Sequence, residues 1–351
     1  MIGDSPDEFT PKGRTQRLVE IAERAGLVRA LQPLHDRRRD SLIVLAYHRV
    51  RPASAQSYPL DLDLISATPE QFEWQMGYIR RHLNPVSLSQ VVAHLQRGTP
   101  LPPQAVAVTF DDGYGDTYHH AYPILQRYGI RATIFVTTGY VDSGEPFWFE
   151  LAAFLTQRVE PRALEFPDSG LAFPVGNSML ERRRSLREVH AALKALPNAR
   201  RIEIIAGWAQ RFAHQLDPDE IARSCPISWA QVAEMAAAGI EFGSHTVTHP
   251  NLTQLAEPDL HWELTESKRV LEQRLGETVP TLAYPIGTTS AFNDRVVAAT
   301  ERAGFKLALS YVAGVNWVKH FERFRLRRHG VGLGTTPGYF RALTSIPSWL
   351  N

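Results

Sequence analysis

The sequence predicts an α/β fold built on parallel strands, and three observations predict it. Short apolar runs without alternation recur along the chain, the pattern of strands buried on both faces. Capped helical stretches separate these runs, giving the strand–helix–strand order of a parallel sheet or barrel. Of the 351 residues, 44% are hydrophobic, enough for a full-sized core. About seven strands are expected, and an open doubly wound sheet and a closed barrel both fit the pattern.

Residues 1–40 read as a polar start and one helical extension. Leu18, Ile21, Ala22, Ala25 and Val28 recur near helical spacing ahead of Arg37, Arg38 and Arg39. Such a helix either packs on its own domain or lies on a membrane surface. Residues 41–47 are the first buried strand. Thr68-Pro69-Glu70-Gln71 opens a helix, with Thr as cap, Pro in the first turn and Gln three residues on. Phe72, Met76 and Ile79 mark its apolar side. Ser87-Leu88-Ser89-Gln90 opens a second helix in the same way, ended near Gly98. A strand over 105–110, a helix over 117–128 closed by Gly129 and a strand over 131–137 follow.

The rhythm breaks between 142 and 226. Phe147-Trp148-Phe149 and then two or three helical stretches rich in Arg and Ala read as an insertion or cap, about 145–226, within a domain running 41–351. The aromatic cluster is either a cap core or, through Trp148, Phe147 and Phe149, a flat face for stacking on a C–H-rich ligand surface. Alternation resumes at Ser228, a capped helix start ended by Gly239. Strands are expected near 240–243, 281–284, 305–310 and 325–329, with helices at about 258–275 and 293–303. Gly276 and Gly304 follow these helices where a C-terminal cap belongs.

Charge and cysteine content narrow the function. Lys+Arg number 38 against 37 Asp+Glu, a formal charge of +1. Nucleic-acid binders are normally lopsided, so no such partner is expected. The single cysteine, Cys225, excludes an internal disulfide and a Cys-rich zinc site, and reads as a small core residue. Any metal must be held by His and carboxylates. The first residues carry no apolar signal core, and no run of about 18 apolar residues occurs. A cytoplasmic location is expected, with the N-terminal helix as the point of any peripheral contact at the inner membrane surface.

Ligand groups in parallel α/β folds gather at the C-terminal ends of strands, and three clusters stand there. Thr109-Phe110-Asp111-Asp112-Gly113-Tyr114 ends one strand with two carboxylates, which a turn at Gly113 can bring into one pocket. Ser244-His245-Thr246-Val247-Thr248-His249-Pro250 follows another, with two His at i and i+4, one side of a helical turn. Two His and one carboxylate make the open three-ligand set of catalytic zinc, and other divalent first-row ions also fit it. His48 ends the first strand in Ala46-Tyr47-His48-Arg49-Val50.

Asp111-Asp112 in T-F-D-D-G-Y, together with S-H-T-V-T-H-P, closely resembles the first two motifs of the polysaccharide deacetylase family (NodB homology, carbohydrate esterase). A-Y-H-R-V at 46–50, G-I-R-A-T-I-F-V-T-T at 129–138, A-Y-P-I-G at 283–287, A-G-F at 303–305 and L-R-R-H at 326–329 extend the likeness. It covers residues 42–141 and 228–331. The resemblance implies a distorted (β/α)7 barrel with a helical insertion, and an enzyme that hydrolyses the N-acetyl group of a glycan, glycolipid intermediate or oligosaccharide. It implies one divalent ion, zinc first and cobalt, nickel, manganese or iron otherwise, on Asp112, His245 and His249. Asp111 would be the base, the Tyr114 N–H an oxyanion donor and His48 the acid, while Tyr284 and Pro285 would line the pocket. Two departures stand out. The Arg of the usual Arg-x-Pro-Tyr motif is missing from Ala283-Tyr284-Pro285-Ile286, leaving Arg328 or Arg327 to tether the base. The usual Leu-x-His is replaced by Leu326-Arg327-Arg328-His329, so His329 competes with His48 as acid. A non-carbohydrate amide hydrolase and a non-catalytic glycan-binding relative are the alternative readings.

Overall fold

Side-chain alternation along the apolar runs decides the architecture. In the computed structural model, which describes residues 18, 21–23, 25–26, 41–52, 61–158, 163–166 and 171–345, the chain begins with β1 (Ser41–Tyr47), β2 (Arg49–Val50), β3 (Ile65–Ala67) and α1 (Pro69–His82). Then come β4 (Asn84–Pro85), α2 (Leu88–Arg97), β5 (Ala105–Phe110), α3 (Tyr122–Tyr128), β6 (Thr133–Val136) and α4 (Thr138–Ser143). The insertion holds α5 (Trp148–Arg158), β7 (Ala163–Phe166), β8 (Leu171–Pro174), α6 (Met179–Ala195), α7 (Asn198–Arg211) and α8 (Pro218–Ala222). The rest comprises α9 (Trp229–Ala237), β9 (Glu241–Ser244), α10 (Glu257–Leu275), β10 (Thr281–Ala283), α11 (Asp294–Arg302), β11 (Leu307–Leu309), β12 (Asn316–Trp317), β13 (His329–Gly330) and α12 (Pro337–Ser345).

The main sheet runs β11-β10-β9-β6-β5-β1, every pair parallel, with Leu42 opposite Ala105 and Tyr47 opposite Phe110 at its centre. The short β4 pairs with the start of β5, and β12 lies antiparallel against β1. One irregular segment closes the ring. Its first half bonds to β11, with Ala308 N donating to Arg323 O at 2.8 Å and Ser310 N to Leu326 O at 2.8 Å. Its second half, β13, pairs with β1, with Leu45 opposite His329. Six regular strands and this segment form the distorted seven-membered barrel that the family resemblance implied. The expected strand at 325–329 is therefore real in position but regular only at its end.

Alternation sorts the core into an interior and an outer layer. Leu42 and Val44 of β1, Ala105 and Ala107 of β5, Leu307 and Leu309 of β11, and Leu326 meet inside, closed below by Leu88, Val91 and Val92 of α2. Ile43, Leu45, Tyr47, Val106, Val108 and Phe110 point outward against α1, α3 and α9. The helix starts follow the sequence: Thr68, Ser87 and Ser228 each form a capping box with the Gln three residues on. The helix expected over 117–128 begins as a π-helical turn, Thr117–Ala121, before α3.

The insertion has its own core, in which Trp148, Leu151, Leu155, Val189, Leu193, Ile204 and Trp208 pack together. Its β7–β8 hairpin was not expected from the helical reading of this segment. Most of the expected N-terminal helix, and Arg37–Arg39, lie outside the described residues. Of the part that is described, Ala22 packs on the main core, while Leu18 and Ile21 are exposed. Among the described residues no helix is long and apolar enough to cross a membrane.

Candidate active site

The two adjacent carboxylates reach one pocket through the backbone of the second. Thr109 and Asp111 continue the inward parity of β5, so parity alone would send Asp112 outward. Asp112 instead adopts φ +70° and Gly113 φ +82°, the left-handed region that Asp tolerates and Gly prefers. The turn thus begins at Asp112, one residue earlier than the sequence indicated. A Cβ on Gly113 would stand 2.8 Å from Val136 Cγ1, so this position needs glycine for space as well.

The two imidazoles converge without a helical turn, contrary to the i, i+4 expectation. After β9 the chain bends, with Thr246 at φ +68° and His249 at φ +54°. A β-branched residue in that region is strained by roughly 1–3 kcal/mol, and the surrounding bonds hold it. Thr246 N donates to Ser244 Oγ at 3.1 Å, and His249 N to Thr246 Oγ1 at 3.2 Å. Buried Glu263 of α10 accepts from Val247 N at 2.7 Å, from Thr248 N at 3.0 Å and from the Thr248 hydroxyl.

Asp112, His245 and His249 come together as a result, each offering a ligand atom, all within 4.8 Å of one another. His245 Nε2 lies 3.5 Å and His249 Nε2 3.4 Å from Asp112 Oδ1. His245 Nδ1 donates to Ala283 O at 2.8 Å, which fixes the tautomer and turns the Nε2 lone pair toward Asp112. Burial lowers the pKa of both imidazoles, that of His249 well below its usual value. Burial, with the charges of Asp111 and Glu150, pushes the Asp112 carboxyl well above its usual range, and its Oδ1 has no hydrogen-bond partner among the described residues. Lone pairs facing one another in a buried pocket fit a shared cation and little else.

Beside this group, Asp111 forms a bidentate pair with Arg328, both oxygens 2.7 Å from a guanidinium nitrogen. Arg328 is fully buried and also donates through Nε to Ser310 O at 2.8 Å. Burial raises the Asp111 pKa, but the charges of Arg328 and His245 outweigh it and the net direction is down. Asp111 is therefore ionised and oriented. Arg328 shares the inward parity of Leu326, so Arg327 and His329 point away. Arg327 reaches Ala313 O from an exposed position, and the buried His329 ring turns to the Gly314 backbone. His48 continues the inward parity of Leu42, Val44 and Ala46, and its charge couples to Asp111, Arg328 and His245.

The Tyr114 N–H is free of bonds among the described residues, while its neighbours Gly113 N and Gly115 N donate to Asp111 O and Cys225 O. The Tyr114 ring lies in the insertion core, its hydroxyl on Glu150 at 2.8 Å. Two substrate-binding expectations are corrected. Trp148 is 2% exposed, with the Arg201 guanidinium 4.5 Å over its ring, and so belongs to the insertion core. Tyr284 follows inward Ala283 and so points outward, stacked on Phe292 with its hydroxyl on Phe324 O at 3.0 Å. Pro285 is buried in the turn after β10. Cys225 is half-buried, with its thiol near Ile221 O.

Three residues of the site were missed in the sequence. Fully buried Arg49 donates to Asp116 at 2.7 Å and Glu150 at 2.8 Å and lies 4.3 Å over the Tyr114 ring, tying the first motif to the insertion. Glu150 of α5 receives both Arg49 and Tyr114. Tyr311 stands between His48, 5.3 Å ring to ring, and Arg328, 5.3 Å from its guanidinium carbon. Tyr311 was findable, since it is the second polar residue after the apolar run of β11.

Residues 98–308 match the family described as polysaccharide deacetylase. A Bacillus subtilis (strain 168) protein named for polysaccharide deacetylation is 21% identical over 277 residues, 78% of this chain and 65% of the relative. The poly-beta-1,6-N-acetyl-D-glucosamine N-deacetylase of Escherichia coli (strain K12) is 33% identical over 106 residues, 30% of this chain and 15% of the relative. The chain thus spans less than two thirds of either. The solved Streptococcus pyogenes deacetylase PplD, in complex with acetate, shares the fold with a TM-score of 0.58 at 20% identity, over 88% of this chain and 99% of that one.

Proposed function

We propose, from the premise that this chain belongs to the polysaccharide deacetylase family, that it hydrolyses the acetamide of an N-acetylated sugar with the help of one divalent ion. The observation that carries the reading is the convergence of Asp112, His245 and His249 beside the ionised, Arg328-bound Asp111. A divalent ion held by those three residues would acidify a water and polarise the acetamide carbonyl, and zinc suits the two-His, one-carboxylate set.

The remaining work falls to the chain. Asp111 accepts the proton of the attacking water, held in position by Arg328. The Tyr114 N–H donates to the oxygen on which charge develops, a contact worth roughly 3 kcal/mol in such sites. His48 protonates the departing amine, because an unprotonated amine leaves poorly. Burial lowers the His48 pKa to about 4. It therefore starts neutral, and the proton that Asp111 takes from the attacking water is the one that passes through His48 to the amine. The C–N bond breaks, and acetate and a free amino sugar result.

Acetate release from N-acetylglucosamine oligomers tests the reading. Chelation should abolish it, and zinc or cobalt should restore it. Asp112→Ala and His249→Ala should bind no metal by elemental analysis and release no acetate. Metal binding without acetate release from any sugar would overturn the reading in favour of a small-amide substrate or a glycan-binding role. His48→Ala should lower turnover about 10²–10⁴-fold, while His329→Ala stays active. The opposite pattern would transfer the acid role to His329.

A further inference from the structure

The insertion brings a row of cations to the pocket that hydrolysis does not use. On α6, Arg183, Arg187, His190 and Lys194 stand at i, i+4, i+7 and i+11, one face of the helix. His190 fixes where that face looks: its Nε2 meets the Phe149 carbonyl at 2.9 Å, and the Phe149 ring lies 5.1 Å from the ring of His249. One turn further on, Lys194 is half-buried, and its ammonium makes no hydrogen bond or close ion pair among the described residues. Its charge acts on Asp112 and Asp61, and is felt by His48 and His249. Lys194 thus lies one turn beyond His190 on the face of α6 that meets Phe149 and, through its ring, His249.

Asp61 is the carboxylate that faces the row. Its Oδ2 lies 3.8 Å from His190 Nδ1, and Lys194, Arg187 and Arg183 all act on it. Burial keeps His190 neutral, its pKa lowered to about 3. Asp61 sits at the His190 end of the face, and Lys194, which feels both Asp61 and Asp112, closes a hydrogen bond with neither among the described residues. A neutral N-acetyl sugar offers these cations hydrogen-bond acceptors but no countercharge, whereas a phosphate or carboxylate would supply both to the partly desolvated Lys194.

We propose that Lys194, backed by Arg187, forms an anion subsite, and that the preferred substrate is an N-acetylated sugar bearing a phosphate or carboxylate next to the reacting residue. The identity of the sugar rests on the deacetylase reading above, but the subsite is testable without turnover.

The experiment uses the full chain loaded with zinc. Calorimetric binding and acetate release are measured for N-acetylglucosamine, its neutral trimer, N-acetylglucosamine phosphate, UDP-N-acetylglucosamine and a disaccharide of N-acetylglucosamine with glucuronate. At least one anionic probe should bind about tenfold tighter than the neutral sugars, the scale of one charge-assisted contact, and the margin should shrink as salt rises. The phosphate and glucuronate arms identify which anion the site takes. Lys194→Met should reduce the anionic-to-neutral ratio about tenfold, Lys194→Arg should retain most of it, and Asp61→Asn should increase it. If Lys194→Met does not fold, Arg187→Met on the exposed part of the row should reduce the same ratio. Equal binding of neutral and anionic probes by the unaltered protein, or a variant that weakens both alike, would overturn the subsite. Anion-selective binding with no acetate from any sugar would overturn the deacetylase reading and leave the subsite standing. Acetate release without anionic preference would do the reverse.

Discussion

Replacing Asp111 by Asn should leave metal binding intact and lower turnover about 10²–10⁴-fold, the range for loss of a general base. Asn is close to isosteric but cannot accept the proton of the attacking water. The proposed ligand atoms belong to Asp112, His245 and His249, so metal content should stay near one per chain. The substitution also strips Arg328 of its carboxylate partner in a fully buried position, and stability should fall along with turnover. Elemental analysis, acetate release and denaturant midpoints on the same preparation separate these effects. A fully active Asp111→Asn would remove Asp111 from the role of base.

Arg328→Met should destabilise the fold by about 3–5 kcal/mol, the cost of leaving one member of a buried ion pair uncompensated. Met approximates the volume of the lost side chain, so the effect is electrostatic more than steric. Without the guanidinium, burial should drive the Asp111 carboxyl toward its protonated form, and turnover should fall at least as far as in Asp111→Asn. The double substitution Asp111→Asn/Arg328→Met gives the sharper result. With both charges gone it should be more stable than the sum of the single changes allows, by more than about 1 kcal/mol of coupling. Strictly additive denaturation midpoints would mean that Asp111 and Arg328 do not act as a pair.

What could be read from the sequence follows from how local each signal is. The strands were legible because parallel strands buried on both faces leave unbroken apolar runs, as in Leu42–Ala46 and Ala105–Val108. The helix starts were legible because a capping box is written within four residues, as at Thr68, Ser87 and Ser228. Asp112, His245 and His249 were legible as chemistry at strand ends, but not as geometry. Their convergence depends on left-handed backbone at Asp112, Thr246 and His249, which residue type alone does not announce for Thr or His. Alternation carried beyond a strand end would have placed His48 inward and Tyr284 outward. Arg328 and His329 needed the register of an irregular segment whose parity was unreadable until Leu326 was seen inside. The insertion was legible as a break in rhythm, while its contacts to the pocket through Phe149 and Glu150 are purely tertiary.

The segment that closes the barrel has a consequence for synthesis. Asp111 and its guanidinium partner are 217 positions apart, and the same late stretch joins the first strand to β11. A nascent chain halted before residue 323 would already contain Asp112, His245 and His249, yet Asp111 would be untethered and the ring unsealed. The pairing of Asp111 with Arg328 thus waits for closure, and the pocket is complete only once residues 323–330 have seated against β11 and β1.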